Sequence, residues 1–248
     1  MKDIVRKLRV SFFCTVLGIS ILPAQDWYDP QGIVRNQLMT LIHIHYGSDF
    51  HEVDYSILDS LISHSSAENE NIRDPYNTLK GCVLFSTYKN DGQNEPDAFI
   101  VGMMRNGKII WDNAPGTHAD LGGEISYAQD INKDGEVDLV ISESDRQLSL
   151  MSRSGPPLYY LYVLSWNGER GKFINKFRKD GKSAIIAGDF FELVDKRGNG
   201  IKEIEASFPQ IEYLDLSEYK TDDSSHIIYT WNGKQYGVWP KHVIGHPR

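Results

Sequence analysis

The sequence predicts a mainly β protein built of about three antiparallel β-repeats, preceded by one or two short helices. From about residue 80, ten short apolar runs alternate with turns rich in Gly, Asn and Asp, which is typical of antiparallel sheets. Tyr, Trp and Phe are concentrated in these runs, and strands favour these residues. Part of the region also repeats, with matching landmarks 65 residues apart.

The first 25 residues are expected to be a signal peptide, not part of the fold. A basic start is followed by an apolar run over residues 10–22 and then by Ala24. The run of 13 residues is shorter than a membrane-spanning helix, which needs about 20. The mature chain is therefore predicted to have no transmembrane segment and to be exported, either to the periplasm, to the cell surface or to the extracellular space.

The net charge limits the kinds of partner that this chain can bind, and the cysteine content limits its disulfides. The 248 residues carry a net charge of −8, and removal of the leader, with four basic residues and one acidic residue, changes it to −11. Such an acidic chain repels nucleic acid and anionic membranes, and it is compatible with cation binding. Cys14 leaves with the leader, so Cys82 has no partner for an intramolecular disulfide. We expect Cys82 to be a buried strand cysteine.

Residues 26–78 are predicted to form an N-terminal helical segment, and residues 79–248 the β-repeat domain. Apolar side chains recur at near-helical spacing over residues 33–44 and again over residues 53–62, which indicates two short helices. The polar stretch that follows contains Pro75 and indicates a loop or a boundary.

The repeat consists of a polar loop, a strand and a later Trp-Asn-Gly. The stretch DINKDGEVDLVIS begins at Asp130, and DKRGNGIKEIEAS begins at Asp195. Each continues to a Trp-Asn-Gly, at Trp166 and Trp231, over the same number of residues. We predict that each Trp-Asn-Gly is a tight hairpin turn whose tryptophan packs between sheets and binds no ligand.

The loop of the better-preserved copy has the oxygen pattern of a calcium site. Calcium takes six to eight oxygen ligands, partly from a tight loop, whereas magnesium uses fewer protein ligands and keeps more water. Oxygen-bearing side chains stand at loop positions 1, 3, 5 and 9, a glycine at position 6 permits the sharp turn, and position 7 offers a backbone carbonyl. The predicted ligands are Asp130, Asn132, Asp134, Glu136 and Asp138. The alternative is a metal-free turn rich in Asp and Asn.

The loop of the other copy is predicted to be a second, weaker site. It keeps Asp195, Asn199 and Glu203, but Arg197 stands at position 3, where a ligand is needed. An arginine there can replace the cation with its own charge. In both copies we expect the loop to connect two strands as a structural staple and to take no part in catalysis.

The loop that begins at Asp130 is not an EF-hand, because position 12 is Ile141 and a strand-like run replaces the second helix. A DxNxDG loop with Asp at position 9 that leads directly into a strand resembles the FG-GAP or VCBS type of repeat. This type occurs in the β-propeller head of integrin α chains and in many exported bacterial proteins. The resemblance covers about residues 80–240, including a shorter relic, NDGQNEPDAFIVG, that keeps chiefly Asp97 and is followed by Trp111.

The resemblance implies blade-like repeats, an exported protein and calcium in a structural role. A full propeller of this kind has about seven blades, and this chain has room for about three, which implies an open or miniature array. The expected function is a non-enzymatic binding or adhesion module of the cell envelope or extracellular space, with a protein or glycan ligand.

Two other functions stay open at this point. One is a secreted hydrolase, acting on glycans or phosphates, that uses the same repeats as a scaffold. The other is an inhibitor-like or assembly module that completes its sheet with a strand from a partner. The cluster of His43, His45, Asp49 and His51 has no zinc-site spacing, and we expect ordinary histidines there.

Overall fold

A computed structural model describes eight segments of the chain. They are residues 32–65, 71–89, 99–114, 124–144, 158–179, 181–188, 190–207 and 226–238. The predicted signal peptide and Asp97 lie outside the described residues. Within these segments, no helix is long and apolar enough to cross a membrane.

The described strands form three antiparallel sheets, none of which closes into a barrel, and in each the strands follow chain order. The first contains β1 (Phe50–Ile57), β2 (Cys82–Lys89), β3 (Phe99–Arg105) and β4 (Lys108–Asp112). The second contains β5 (Glu124–Gln129), β6 (Val137–Ser144), β7 (Tyr159–Trp166) and β8 (Gly171–Phe173), and β9 (Ile186–Ala187) pairs with β7. The third contains β10 (Phe190–Val194), β11 (Glu203–Ser207), β12 (His226–Trp231) and β13 (Tyr236–Gly237). The predicted fold class is confirmed.

The helices are α1 (Ile33–Tyr46) and α2 (Leu58–Ser65). The prediction of a helix from residue 53 is wrong over its first part, because residues 50–57 form β1 and pair with β2. The first sheet therefore takes a strand from within the segment 26–78 that the sequence assigned to helices. Local apolar spacing favoured a helix, but pairing with β2 satisfies the backbone in a way that spacing does not report.

The three sheets share one core. Buried apolar side chains from all three belong to a single cluster, and a second cluster lies where α1 packs on the first sheet. Trp111 and Trp166 meet edge to face, with ring centroids 6.1 Å apart, between the first and second sheets. Tyr127 and Phe191 meet in the same way at 5.8 Å between the second and third. The second sheet is therefore the middle layer.

The two Trp-Asn-Gly turns have the same structure. Trp166 ends β7 and Trp231 ends β12, and each turn leads into the last strand of its main path. Asn167 and Asn232 each accept two backbone N–H bonds, from residues two and three positions later, at 2.9–3.0 Å. Trp111, by contrast, lies in β4, the fourth strand of its sheet, so its predicted correspondence with Trp166 is wrong.

Candidate metal-binding site

The loop of residues 130–136, here the second-sheet loop, connects β5 to β6 and folds around Asp130. The Asp130 carboxylate accepts the backbone N–H of Asp134 at 3.2 Å and that of Gly135 at 3.0 Å. Lys133 and Gly135 have positive φ angles of 63° and 87°, which turn the chain sharply. The loop is thus held in shape by its own first side chain.

Other side-chain oxygens of the loop also accept hydrogen bonds. Asn132 Oδ1 accepts the N–H of Asp134, and Asn132 Nδ2 donates to Asp134 Oδ2, both at 2.9 Å. Glu136 Oε2 accepts the hydroxyl of Ser165 at 3.0 Å. Consistent with these bonds, no three His, Cys, Asp or Glu side chains of the described segments converge as they would around a metal. A cation would have to exchange the Asn132–Asp134 bond for contacts with itself.

Asp138 is the one predicted ligand with a free buried oxygen. It lies in β6 with 0% of its surface exposed. Its Oδ2 accepts the N–H of Ile131 at 3.1 Å, whereas Oδ1 accepts no hydrogen bond from the residues that the structure describes. Burial raises the pKa of Asp138 to about 7, although the hydrogen bond from the Ile131 N–H opposes this shift. A buried carboxylate with an unpaired oxygen is costly unless a positive charge lies beside it.

The third-sheet loop, residues 195–201, repeats the same hydrogen bonds. The Asp195 carboxylate accepts the N–H of Asn199 at 3.1 Å and that of Gly200 at 2.7 Å, at the spacing found for Asp130. In this loop the buried acid, Glu203, has a partner, because Arg197 Nε lies 2.9 Å from its Oε1. The arginine that the sequence placed at loop position 3 therefore neutralises the acid at position 9.

The structure contains a third loop of this kind that the sequence analysis missed. In the first-sheet loop, residues 74–79, Asp74 accepts the N–H of Thr78 at 2.9 Å and that of Leu79 at 2.8 Å. This loop precedes the second strand of its sheet, as the other two loops do. The predicted relic around Asp97 lies outside the described residues, so it stays a prediction. An Asp eight residues before Cys82, the spacing of the other copies, was the available signal.

An arginine also lies beside the first-sheet loop. Arg105, at the end of β3, donates from Nη2 to the carbonyl of Thr78 and from Nε to Cys82 Sγ at 3.1 Å. Cys82 itself is fully buried in β2, as predicted, and burial raises the pKa of its thiol. Two of the three loops thus have an arginine guanidinium group in a hydrogen bond or an ion pair.

The second-sheet loop differs from its two neighbours in charge. No Lys or Arg in the described segments forms an ion pair with Asp130, Asp134 or Asp138. Lys133 Nζ, the cation nearest in sequence, donates to the carbonyl of Asn199 at 2.7 Å instead. Asp130, Asp134 and Asp138 therefore have no ion-pair partner among the described residues.

The three loops pack side by side, with the second-sheet loop in the middle. Tyr76 of the first-sheet loop donates its hydroxyl to Asp130 Oδ2 at 2.7 Å. On the other side, the N–H of Lys202 donates to the carbonyl of Ile131 at 2.7 Å. The candidate site therefore touches both neighbouring repeats.

The histidine cluster lies apart from these loops. His43 and His45 are exposed on α1, and His51 is exposed on β1. His43 Nε2 is 2.8 Å from the carbonyl of Phe50, a contact that connects the end of α1 to β1.

No protein-family model, no curated protein and no solved structure matches this chain. The resemblance to FG-GAP or VCBS repeats therefore rests on the loop residues and on the spacing of the repeats, and it stays a prediction.

Proposed function

We propose that this chain is an exported, non-enzymatic β-repeat protein whose second-sheet loop binds one calcium ion as a structural staple. Its role would be that of a binding or adhesion module of the cell envelope or extracellular space. The observation that carries the proposal is the unpaired, buried Oδ1 of Asp138, next to a loop that supplies Asp130, Asn132 and Asp134.

Comparison of the three loops supports a cation at this place. Arg105 donates a hydrogen bond to the first-sheet loop, and Arg197 of the third-sheet loop forms an ion pair with Glu203. Both contacts lie near the point where the loop leads into the second strand of its sheet. The second-sheet loop has the same backbone hydrogen bonds and more acidic side chains, but no arginine among the described residues. A bound cation would supply the positive charge that its neighbours build in.

The donor set favours calcium over other cations. Carboxylate, amide and carbonyl oxygens suit magnesium, calcium and manganese, whereas zinc and copper prefer nitrogen and sulfur ligands. Five candidate residues within nine positions suit the six to eight ligands of calcium, while magnesium keeps most of its water. Extracellular calcium modules bind with a Kd of about 10⁻⁴ to 10⁻³ M, which fits the predicted export.

The direct test is calcium titration of the purified mature chain by calorimetry, together with thermal unfolding in calcium and in chelator. We expect about one ion per chain, and a stabilisation of about 2.7 kcal/mol when calcium exceeds the Kd a hundredfold. For a chain of this size, that corresponds to a rise in Tm of about 5–10 °C.

Asp134→Ala should abolish the calcium effect, while Asp74→Ala, a change in the first-sheet loop, should leave it intact. Magnesium at the same concentration should act more weakly. No binding heat together with an unchanged midpoint in millimolar calcium would refute the calcium site.

The binding role calls for a separate test. A screen of glycans and matrix proteins against the calcium-loaded chain should yield a specific ligand if the module binds. The hydrolase and the partner-strand module stay predictions, and release of sugar or phosphate from model substrates would favour the former.

A further inference from the structure

An open cleft of about 400 Å³ lies between the second and third sheets, beside the second-sheet loop. It is lined by Asp134, Glu136, Ser165, Lys172, Ile174, Trp231, Gly233 and Lys234. The second-sheet loop, β7 and the chain around β8 form one side, and the turn between β12 and β13 forms the other.

The corresponding contact between the first and second sheets is closed. There Trp166 is fully buried, and its indole N–H donates to the carbonyl of Thr78 at 3.1 Å. By repeat position, Trp231 corresponds to Trp166, and Asp134 corresponds to Thr78, since each is the fourth residue after its loop aspartate. At the second contact, Trp231 is only half-buried and lines the cleft together with Asp134. The contact between the second and third sheets therefore contains a cleft, whereas the equivalent contact between the first and second sheets is closely packed.

Several groups in this cleft have unused bonding capacity. The indole N–H of Trp231 has no acceptor among the residues that the structure describes, and Lys172 and Lys234 have no ion-pair partner there. Ser165 and Ile174 are buried in the cleft wall, while the two lysines are exposed. The cleft thus offers an aromatic ring, three hydrogen-bond donors and two carboxylates to a ligand.

We propose that this cleft binds an acidic saccharide. A sugar ring presents a C–H face that can pack on the indole of Trp231, and its hydroxyls can donate to Asp134 and Glu136. Its carboxylate or sulfate group can pair with Lys172 and Lys234. Two acidic and two basic side chains balance in the calcium-free cleft. Calcium in the second-sheet loop offsets the acids and leaves the lysines to select an anion, so this selectivity rests on the proposed function.

The test measures binding of two tetrasaccharides by tryptophan fluorescence and calorimetry in saturating calcium. One is a hyaluronan tetrasaccharide, which carries glucuronate carboxylates, and the other is the neutral chitotetraose. We expect the hyaluronan fragment to bind at least about tenfold more tightly, because ion pairs and charge-assisted hydrogen bonds distinguish the two. Lys172→Gln and Lys234→Gln should each weaken binding about three- to tenfold.

Lys108→Gln changes an exposed lysine that does not line the cleft; it is the matched control and should leave binding unchanged. Equal binding of the two sugars, no binding of either, or insensitivity to both lysine changes would overturn the proposal. Calcium titration without sugar separates the two hypotheses. Calcium binding without saccharide binding refutes only the cleft site. Saccharide binding without a calcium effect supports the cleft and refutes the calcium staple.

Discussion

Asp138 is the residue on which the calcium proposal depends, because its environment is costly without a cation. Its side chain is fully buried, one oxygen has no hydrogen-bond donor in the described segments, and burial raises its pKa to about 7. Glu203, the residue at the same repeat position, has Arg197 as a partner. The buried charge of Glu203 is therefore neutralised by a side chain, whereas the carboxylate of Asp138 is left for an ion to neutralise.

Replacement of Asp138 by Asn should have opposite effects without and with calcium. In metal-free protein, the raised pKa of Asp138 means that the folded state holds this proton more tightly than the unfolded state does. The contribution to stability is fully present below about pH 4 and is lost as the pH rises through about 7. The free energy of unfolding should fall by up to about 4 kcal/mol over this range. Asp138→Asn removes that cost, so at pH 8 in chelator its Tm should equal or exceed that of the wild type. The variant should show no rise in calcium.

Thermal unfolding followed by circular dichroism at pH 5 and pH 8, for the wild type and for Asp138→Asn, in chelator and in calcium, measures these effects. The wild type in chelator should gain stability on acidification from pH 8 to pH 5, and Asp138→Asn should not. A variant that is less stable in chelator at pH 8 and still responds to calcium would contradict this role for Asp138.

At the scale of single elements, the repeating unit is a loop that leads into the second strand of a sheet. In all three copies, an aspartate accepts the backbone N–H groups four and five residues later. These bonds satisfy N–H groups that would otherwise lack partners at the turn, and charged acceptors make them strong. The loop geometry thus persists in all three sheets, while the charge that neutralises the loop varies.

The third-sheet loop should become a calcium site when its arginine is replaced by a ligand. Arg197→Asn removes the partner of Glu203 and supplies an oxygen at loop position 3. We expect lower stability in chelator, by about 1–3 kcal/mol, and recovery in calcium. Calorimetry should then count about one more ion than in the wild type.

Arg197→Leu is the matched control, because it removes the same charge without adding an oxygen. It should lose stability to a similar extent and show no recovery beyond the calcium effect of the wild type. Recovery of both variants, or of neither, would show that loop position 3 does not decide metal binding in this loop.

The two aspartates that begin the first and second loops should separate structure from metal binding. Asp74→Ala and Asp130→Ala each remove two backbone hydrogen bonds to a carboxylate, at a cost of about 2–3 kcal/mol in chelator. Only Asp130→Ala should also lose the calcium-induced rise in Tm. Urea unfolding with and without calcium measures both effects, and an equal loss of the calcium effect in both variants would contradict the assignment.

At the scale of the whole molecule, the three sheets behave as one body because they share a core. The largest buried cluster takes side chains from every sheet, and the second-sheet loop contacts both neighbouring loops. Calcium in that loop would therefore stabilise the interfaces on both sides of the middle sheet, not only the β5–β6 connection.

Calcium should consequently move the unfolding of the chain as one transition. Trp111 and Trp166, two of the five tryptophans, lie at the contact between the first and second sheets, whereas backbone circular dichroism reports on all three sheets. We expect tryptophan fluorescence and circular dichroism to give the same midpoint, in chelator and in calcium, as for a single cooperative unit. Two separate midpoints, with only one shifted by calcium, would show that the repeats unfold independently.

The sequence by itself determined the class of the fold. Alternating apolar runs, turn residues and a 65-residue repeat sufficed for three antiparallel sheets, because strand periodicity and turn chemistry are local properties. The turn around Asp130 is also a local feature, since its carboxylate accepts the backbone N–H groups four and five residues away.

Tertiary structure decided what depends on residues far apart in the chain. Strand β1 replaced a predicted helix because β2, 25 residues or more away, pairs with it along its length. The sequence did not reveal the first-sheet loop, because the residues that follow Asp74 differ from those that follow Asp130. The two aspartates are alike only in the backbone hydrogen bonds that they accept. The unpaired oxygen of Asp138 and the cleft beside Trp231 were also visible only in the fold, since burial and hydrogen bonding depend on which side chains the packing brings together.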